Sequence, residues 1–147
     1  MRRPDRKESE MGEVRVKVLL TNAVDEAQAR RGLLAKDKIR VYEGEAMVDT
    51  GSVCTVIPAH VMDELGLLAD HRRVVQYADG REEAVDVTEP LTVRIAGRAT
   101  TEEAVVLGDE ILIGQTVLEK TDMHVDCTKR RLVPNPEHPD QPVIKVK

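Results

Sequence analysis

A mostly β, single-domain protein is predicted from three features of this sequence. The chain of 147 residues contains no Trp, no Phe and two Tyr, so Val, Ile, Leu, Ala and Met must build the core, and a Val-rich core favours strands. Val14, Val16, Val18 and Leu20 alternate with Arg15 and Lys17, the period of a strand with one buried face. Asp79 and Gly80 stand between the strand-like runs 74–77 and 84–87, a hairpin signal, because both central positions of a two-residue turn need positive φ.

Composition also excludes several functions. The formal charge is −5 and the Lys and Arg are interspersed with acids, so the basic stripe and stacking rings of a nucleic-acid partner are missing. No apolar run reaches the length of a membrane span, and no apolar signal-peptide core follows the charged N-terminus, so no membrane partner and a cytoplasmic location are expected. Cys54 and Cys127 have no Cys or His at ligand spacing, which argues against a disulfide framework and against zinc. Both read as buried structural thiols, or, for Cys54, as the rim of a site close to Asp49. His60, His71, His124 and His138 are scattered and read as surface or capping residues. No metal and no cofactor are implied. Ser52 has no His placed to serve as its base, so it is not a nucleophile candidate.

Taken in order, residues 1–12 are charged and aperiodic, the pattern of a flexible tail. A strand over 13–20 leads to Thr21 and Asn22, which can cap a helix over 23–31 that Gly32 stops. A second strand, 39–48, delivers the chain to Asp49. Pro58 suits the first position of a short helix whose apolar face is Val61, Met62 and Leu65, ending at Gly66. After the 74–87 hairpin, Pro90 breaks the run, 91–95 is a strand, Ala96, Gly97 and Arg98 turn, and 104–107 returns. Ile111, Leu112, Ile113 and Gly114 then enter a short helix at 116–120, followed by strands at 123–125 and 131–133 around a turn at Thr128 and Lys129. A strand running into a glycine turn and a short helix thus occurs twice, the outline of a pseudo-twofold fold. The domain spans 13–134. Residues 135–147, with Pro136, Pro139 and Pro142 before an apolar end, form an extended tail able to pair with a partner's edge.

The chemistry concentrates where Ala46, Met47 and Val48 run into Asp49, Thr50, Gly51 and Ser52 before an apolar run resumes. Burying a carboxylate beside apolar strands costs several kcal/mol unless it is hydrogen-bonded, paired or protonated, so Asp49 is the leading functional candidate. An ordinary Asx-type turn between strands is the alternative.

Four features in sequence resemble the retropepsin-like aspartic proteases, the single-lobed relatives of retroviral proteases. They are the apolar strand into Asp49, Thr50 and Gly51, the apolar run after it, the hairpin at 77–81, and Ile111 to Gly114 before a helix. The resemblance covers about 41–133. It implies an acid-protease fold of closed, orthogonal β-barrel-like sheets with one or two short helices, working as a homodimer on unfolded or extended polypeptide. Asp49 would be the catalytic carboxylate, Thr50 would interlock two loops across the dimer, and Gly51 and Ser52 would support the turn. Tyr77, Ala78, Asp79 and Gly80 would form a substrate-binding flap, and Ile113 with Gly114 the second glycine turn. Tyr77 reads equally as a cross-strand packing residue.

The retroviral branch usually carries an acidic residue two places after the triplet's glycine and an arginine after the later glycine, which pair. Val53 and Gln115 stand there instead. Both partners are replaced together, which points to a cellular or bacterial-type branch with a differently held dimer. Two other readings compete with an active endopeptidase. One is a catalytically silent dimer that binds peptides or a partner chain. The other, ranked last, is an aspartyl-phosphate enzyme, which the chain fits poorly for want of a second nearby acid and a phosphate-cradling loop.

Overall fold

The computed structural model describes residues 13–147; the tail expected at 1–12 lies outside the described residues. Strand β1 (Val14–Asn22) buries Val14, Val18 and Leu20 and exposes Arg15 and Lys17, as the alternation requires. Asn22 ends the strand and caps helix α1 (Ala23–Arg30): its Oδ1 accepts from Asp25 N–H at 3.0 Å. The Asn22 amide donates to Leu65 O at 2.8 Å, and Asp25 takes two hydrogen bonds from the Arg40 guanidinium at 2.9 Å each. Those bonds hold the Asp25 carboxyl below the usual carboxylate range, because the guanidinium stabilises its charged form. One polar knot therefore fixes α1, the approach to β2 (Val41–Val48) and the end of α2 (Ala59–Leu65).

A short strand, β3 (Thr55–Ile57), separates the Asp49 loop from α2. Pro58 was expected inside the helix but is its N-cap, with ψ at 158°. Its carbonyl accepts from Val61 and Met62, so the first helical φ/ψ pair falls on Ala59.

The hairpin strands are β4 (Ala69–Gln76) and β5 (Glu82–Thr88). Strand β4 begins five residues before the apolar run that signals it, because it is an edge strand whose first half is charged: Asp70, Arg72 and Arg73 are exposed. The partner of β6 (Leu91–Ile95) also differs from expectation. It is β7 (Arg98–Glu102), a polar edge strand joined through a turn in which Ala96 (φ 49°) and Gly97 (φ 81°) are both left-handed. The expected partner run forms β8 (Ala104–Val106) instead, which pairs with β3 and β5 elsewhere in the sheet.

Strand β9 (Ile111–Ile113) precedes α3 (Gln115–Thr121), and β10 (Met123–Asp126) and β11 (Arg131–Pro134) form a separate hairpin. The large sheet runs β4-β5-β8-β3-β9-β2-β1-β6-β7. The apolar run Ile111 to Ile113 therefore lies between the two strands that flank the Asp49 loop, parallel to β2 and antiparallel to β3. The core centres on Leu20, Ile57, Leu65, Leu91, Ile95 and Ile113, each essentially removed from water and worth roughly 1.5–3 kcal/mol. A second cluster, Val56, Val85, Val87 and Val105 with Leu112 packed against it, roots the hairpin on β3 and β9. Among the described residues, no helix is long and apolar enough to cross a membrane.

Candidate active site

Asp49 follows β2 directly, and its N–H donates to Ile113 O at 2.9 Å, extending the β2 and β9 ladder by one bond. Its carbonyl accepts from Ser52 N–H at 3.1 Å and its Oδ1 from Gly51 N–H at 3.0 Å. The Asx-type turn is thus present, and it uses only one carboxylate oxygen. Among the described residues nothing else bonds the half-buried carboxylate. A Cβ on Gly51 would stand 3.3 Å from Asp49 Oδ1, so a side chain there would press on the carboxylate. Thr50 and Gly51 are exposed, and Ser52 Oγ donates to Cys54 O at 3.0 Å.

The second glycine turn lies against this loop. Gln115 N–H donates to Ser52 O at 2.7 Å, and Thr116 donates to Val53 O from N–H at 3.4 Å and from Oγ1 at 2.9 Å. A Cβ on Gly114 would meet Cys54 O at 2.5 Å and Ser52 O at 2.6 Å. Gly114 has an ordinary extended backbone (φ −97°, ψ −175°), so close approach and not left-handed geometry requires glycine here. Val53 is 70 % exposed and Cys54 and Cys127 are both exposed, which corrects the expectation of buried thiols. Cys54 leaves a loop that turns outward.

The hairpin tip corrects the expected turn type. Tyr77 O accepts from Gly80 N–H at 2.9 Å and Tyr77 N–H donates to Arg81 O at 2.8 Å. Only Gly80 is left-handed (φ 86°), as in a three-residue loop that ends in a glycine bulge. Asp79 Oδ1 accepts from Arg81 N–H at 2.9 Å, which keeps Asp79 in a right-handed turn conformation. Tyr77 donates its hydroxyl to Glu83 Oε2 at 2.5 Å while the Arg81 guanidinium lies 4.4 Å from its ring centroid. Acceptance by Glu83 pushes the Tyr77 phenol up from its ordinary value, so it stays protonated. Tyr77 therefore ties the two strands of its own hairpin. Tyr77 is half-buried, and Ala78, Asp79 and Gly80 are exposed at the tip.

A mostly β framework that presents an Asp-Thr-Gly loop beside an apolar-apolar-glycine strand is the arrangement of an aspartyl protease. A family model described as aspartyl protease matches residues 36–124, more than half of the chain, and the protein belongs to that family. Among solved structures, the solution structure of simian foamy virus (mac) protease is 17 % identical, with 71 % of this chain and 90 % of that chain covered and a TM-score of 0.44. The foamy viral protease-reverse transcriptase in complex with an RNA/DNA hybrid is 16 % identical over 73 % of this chain and 12 % of that one, with a TM-score of 0.46. Among curated proteins, nothing matches. Family membership rests on the family model.

Sequence reasoning missed one polar cluster. Asp122, left-handed at the end of α3 (φ 55°, ψ 48°), accepts from Asn135 Nδ2 at 2.9 Å and from Val143 N–H at 3.0 Å, and pairs with His138 Nδ1 at 2.6 Å. Arg98 donates to the carbonyls of Thr121, Asp122 and His138. Together they fasten residues 135–143 across the end of α3, where the tail helps line a groove of about 620 Å³ that Thr50 and Gln115 also line. No local pattern signals such a latch, because its members come from β7, α3 and the tail.

The Asn135 amide, then the Val143 N–H and the His138 ring, hold the Asp122 carboxyl down from 3.8 to about 2. A depressed carboxylate pKa stabilises the latch fully above the unfolded value and loses that contribution as pH falls through the folded one. The Val143 amide resonance is expected to stay fixed from pH 7 to about 4 and to move toward its unfolded position below about pH 3. In Asp122→Ala, which leaves no acceptor for that N–H, it should already be displaced at neutral pH. An unmoved resonance in that variant would show that Asp122 does not hold the tail.

Proposed function

We propose that the protein is an aspartic endopeptidase whose active site forms across a homodimer, Asp49 of one protomer facing Asp49 of its partner. The observation that carries this reading is the Asp49 loop itself: a half-buried carboxylate with one oxygen engaged by Gly51, set on a rigid strand end and held from behind by β9 and α3. Peptide hydrolysis needs one carboxylate to take a proton from water and a second to give one to the scissile amide. Twofold symmetry supplies the second carboxylate from an identical chain.

Two charged carboxylates about 5 Å apart at an effective dielectric near 20 repel by roughly 3 kcal/mol, about two pKa units. The pair therefore holds one proton between its two macroscopic titrations. The charged member deprotonates the water, whose oxygen bonds the peptide carbonyl carbon. The protonated member stabilises the developing oxyanion, and proton return to the amide nitrogen lets the C–N bond break, releasing a carboxylate and an amine. The 77–81 hairpin closes over an extended segment of unfolded polypeptide, with backbone hydrogen bonds clamping it as an added strand. Two exposed, unpaired thiols suit a reducing compartment such as the cytoplasm.

Cleavage of an unfolded protein, followed from pH 3.5 to 8, tests the reading. The expected rate is bell-shaped with its maximum on the acidic side of neutral. A rate still rising through pH 8, or no cleavage by a chain that sediments as a dimer, overturns it.

A further inference from the structure

The Asp49 loop is gripped at both ends by donors and acceptors that carry no titratable group. Asp49 N–H bonds Ile113 O at 2.9 Å, and Ser52 O accepts from Gln115 N–H at 2.7 Å. Val53 O takes two donors from one residue, the N–H of Thr116 at 3.4 Å and its Oγ1 at 2.9 Å. The shorter of these is the side-chain bond. The Val53 side chain is 70 % exposed and gives the loop little hold of its own. Among the described residues, Ser52 Oγ bonds only within the loop, to Cys54 O. Among the described residues, Thr116 Oγ1 thus makes the side-chain hydrogen bond that ties the loop to α3.

We propose that Thr116 is a positioning residue for the Asp49 carboxylate, its hydroxyl setting the tilt of the loop through Val53 O. The inference rests on the reading of Asp49 as the catalytic carboxylate. A hydroxyl-to-carbonyl bond neither gains nor loses a proton between pH 3 and 8, so the grip is the same wherever the dyad works. Its loss lets the loop shift against β9 and α3, and misplacement of a reacting group by about 1 Å costs on the order of 100-fold in rate. The same shift changes the distance between the two carboxylates, and with it the separation of their titrations.

Thr116→Val removes the hydroxyl and keeps the shape, and Thr116→Ser keeps the hydroxyl. Thr116→Val is expected to lower kcat by about 10-fold or more with KM within about twofold, and to move the two limbs of the pH profile relative to each other. Thr116→Ser should stay within about threefold of wild type with its limbs in place. Amide exchange at Ser52, whose N–H donates to Asp49 O, and at Gln115, whose N–H donates to Ser52 O, should quicken in the Val variant and not in the Ser variant, with melting temperatures checked for all three proteins. If Thr116→Val matches wild type in kcat, profile and exchange, or if Thr116→Ser is as impaired as Thr116→Val, the inference is overturned. If wild type itself does not cleave, the reading of Asp49 falls, and the exchange comparison still decides whether Thr116 holds the loop.

Discussion

Asp49→Asn is expected to remove proteolysis, lowering kcat/KM by about 10³-fold or more, while the protein keeps its fold. Asn cannot take a proton from water, and in a symmetric pair both carboxylates are lost at once, so neither the general base nor the general acid remains. The fold should persist because the hydrogen bond that the described residues give the side chain, from Gly51 N–H, is equally well accepted by an Asn carbonyl oxygen. The carboxylate is half-buried and engages no cation among the described residues, so no buried ion pair is broken. Melting temperature and kcat/KM measured on the same preparation separate these effects. A variant that retains a tenth of the activity would remove Asp49 from the chemistry.

Gly114→Ala should have the next largest effect, and by a different route. Its Cβ would stand 2.5 Å and 2.6 Å from two backbone carbonyl oxygens, Cys54 O and Ser52 O, neither of which belongs to a flexible side chain. Either the loop or the start of α3 must move. Overpacking of this kind costs about 1–3 kcal/mol in stability. The displaced loop carries Asp49, so activity should fall by on the order of 100-fold in protein that is still folded. Urea midpoints read the first effect and kcat/KM the second. Unchanged activity would mean that the contact between the two glycine turns does not set the carboxylate.

Much of this architecture is legible in the sequence because it rests on local chemistry. The alternation from Val14 to Leu20, the cap at Asn22, the stop at Gly66 and the Asp49 turn are each determined by neighbouring residues, and each stands where it is expected. Strand β7 is not legible because its residues, Arg98 to Glu102, lie on a sheet edge and need no apolar alternation. The hairpin at Tyr77 was legible as a hairpin but not as a turn type. That depends on the side chain of Asp79 bonding Arg81 N–H. Least legible are the contacts between segments distant along the chain. The hold of Thr116 on Val53 and the latch around Asp122 join residues that no window of sequence contains together. The missing acid and arginine at Val53 and Gln115 were visible, and the backbone and hydroxyl bonds found there in their place were not.

The central claim is that the active site belongs to two chains, and mixing wild type with Asp49→Asn tests it most directly. At fixed total concentration, after subunits have exchanged, an equal mixture should retain about a quarter of the wild-type rate, because only pairs with two intact Asp49 residues cleave. A mixture that retains about half would show that each chain works alone and would contradict the account.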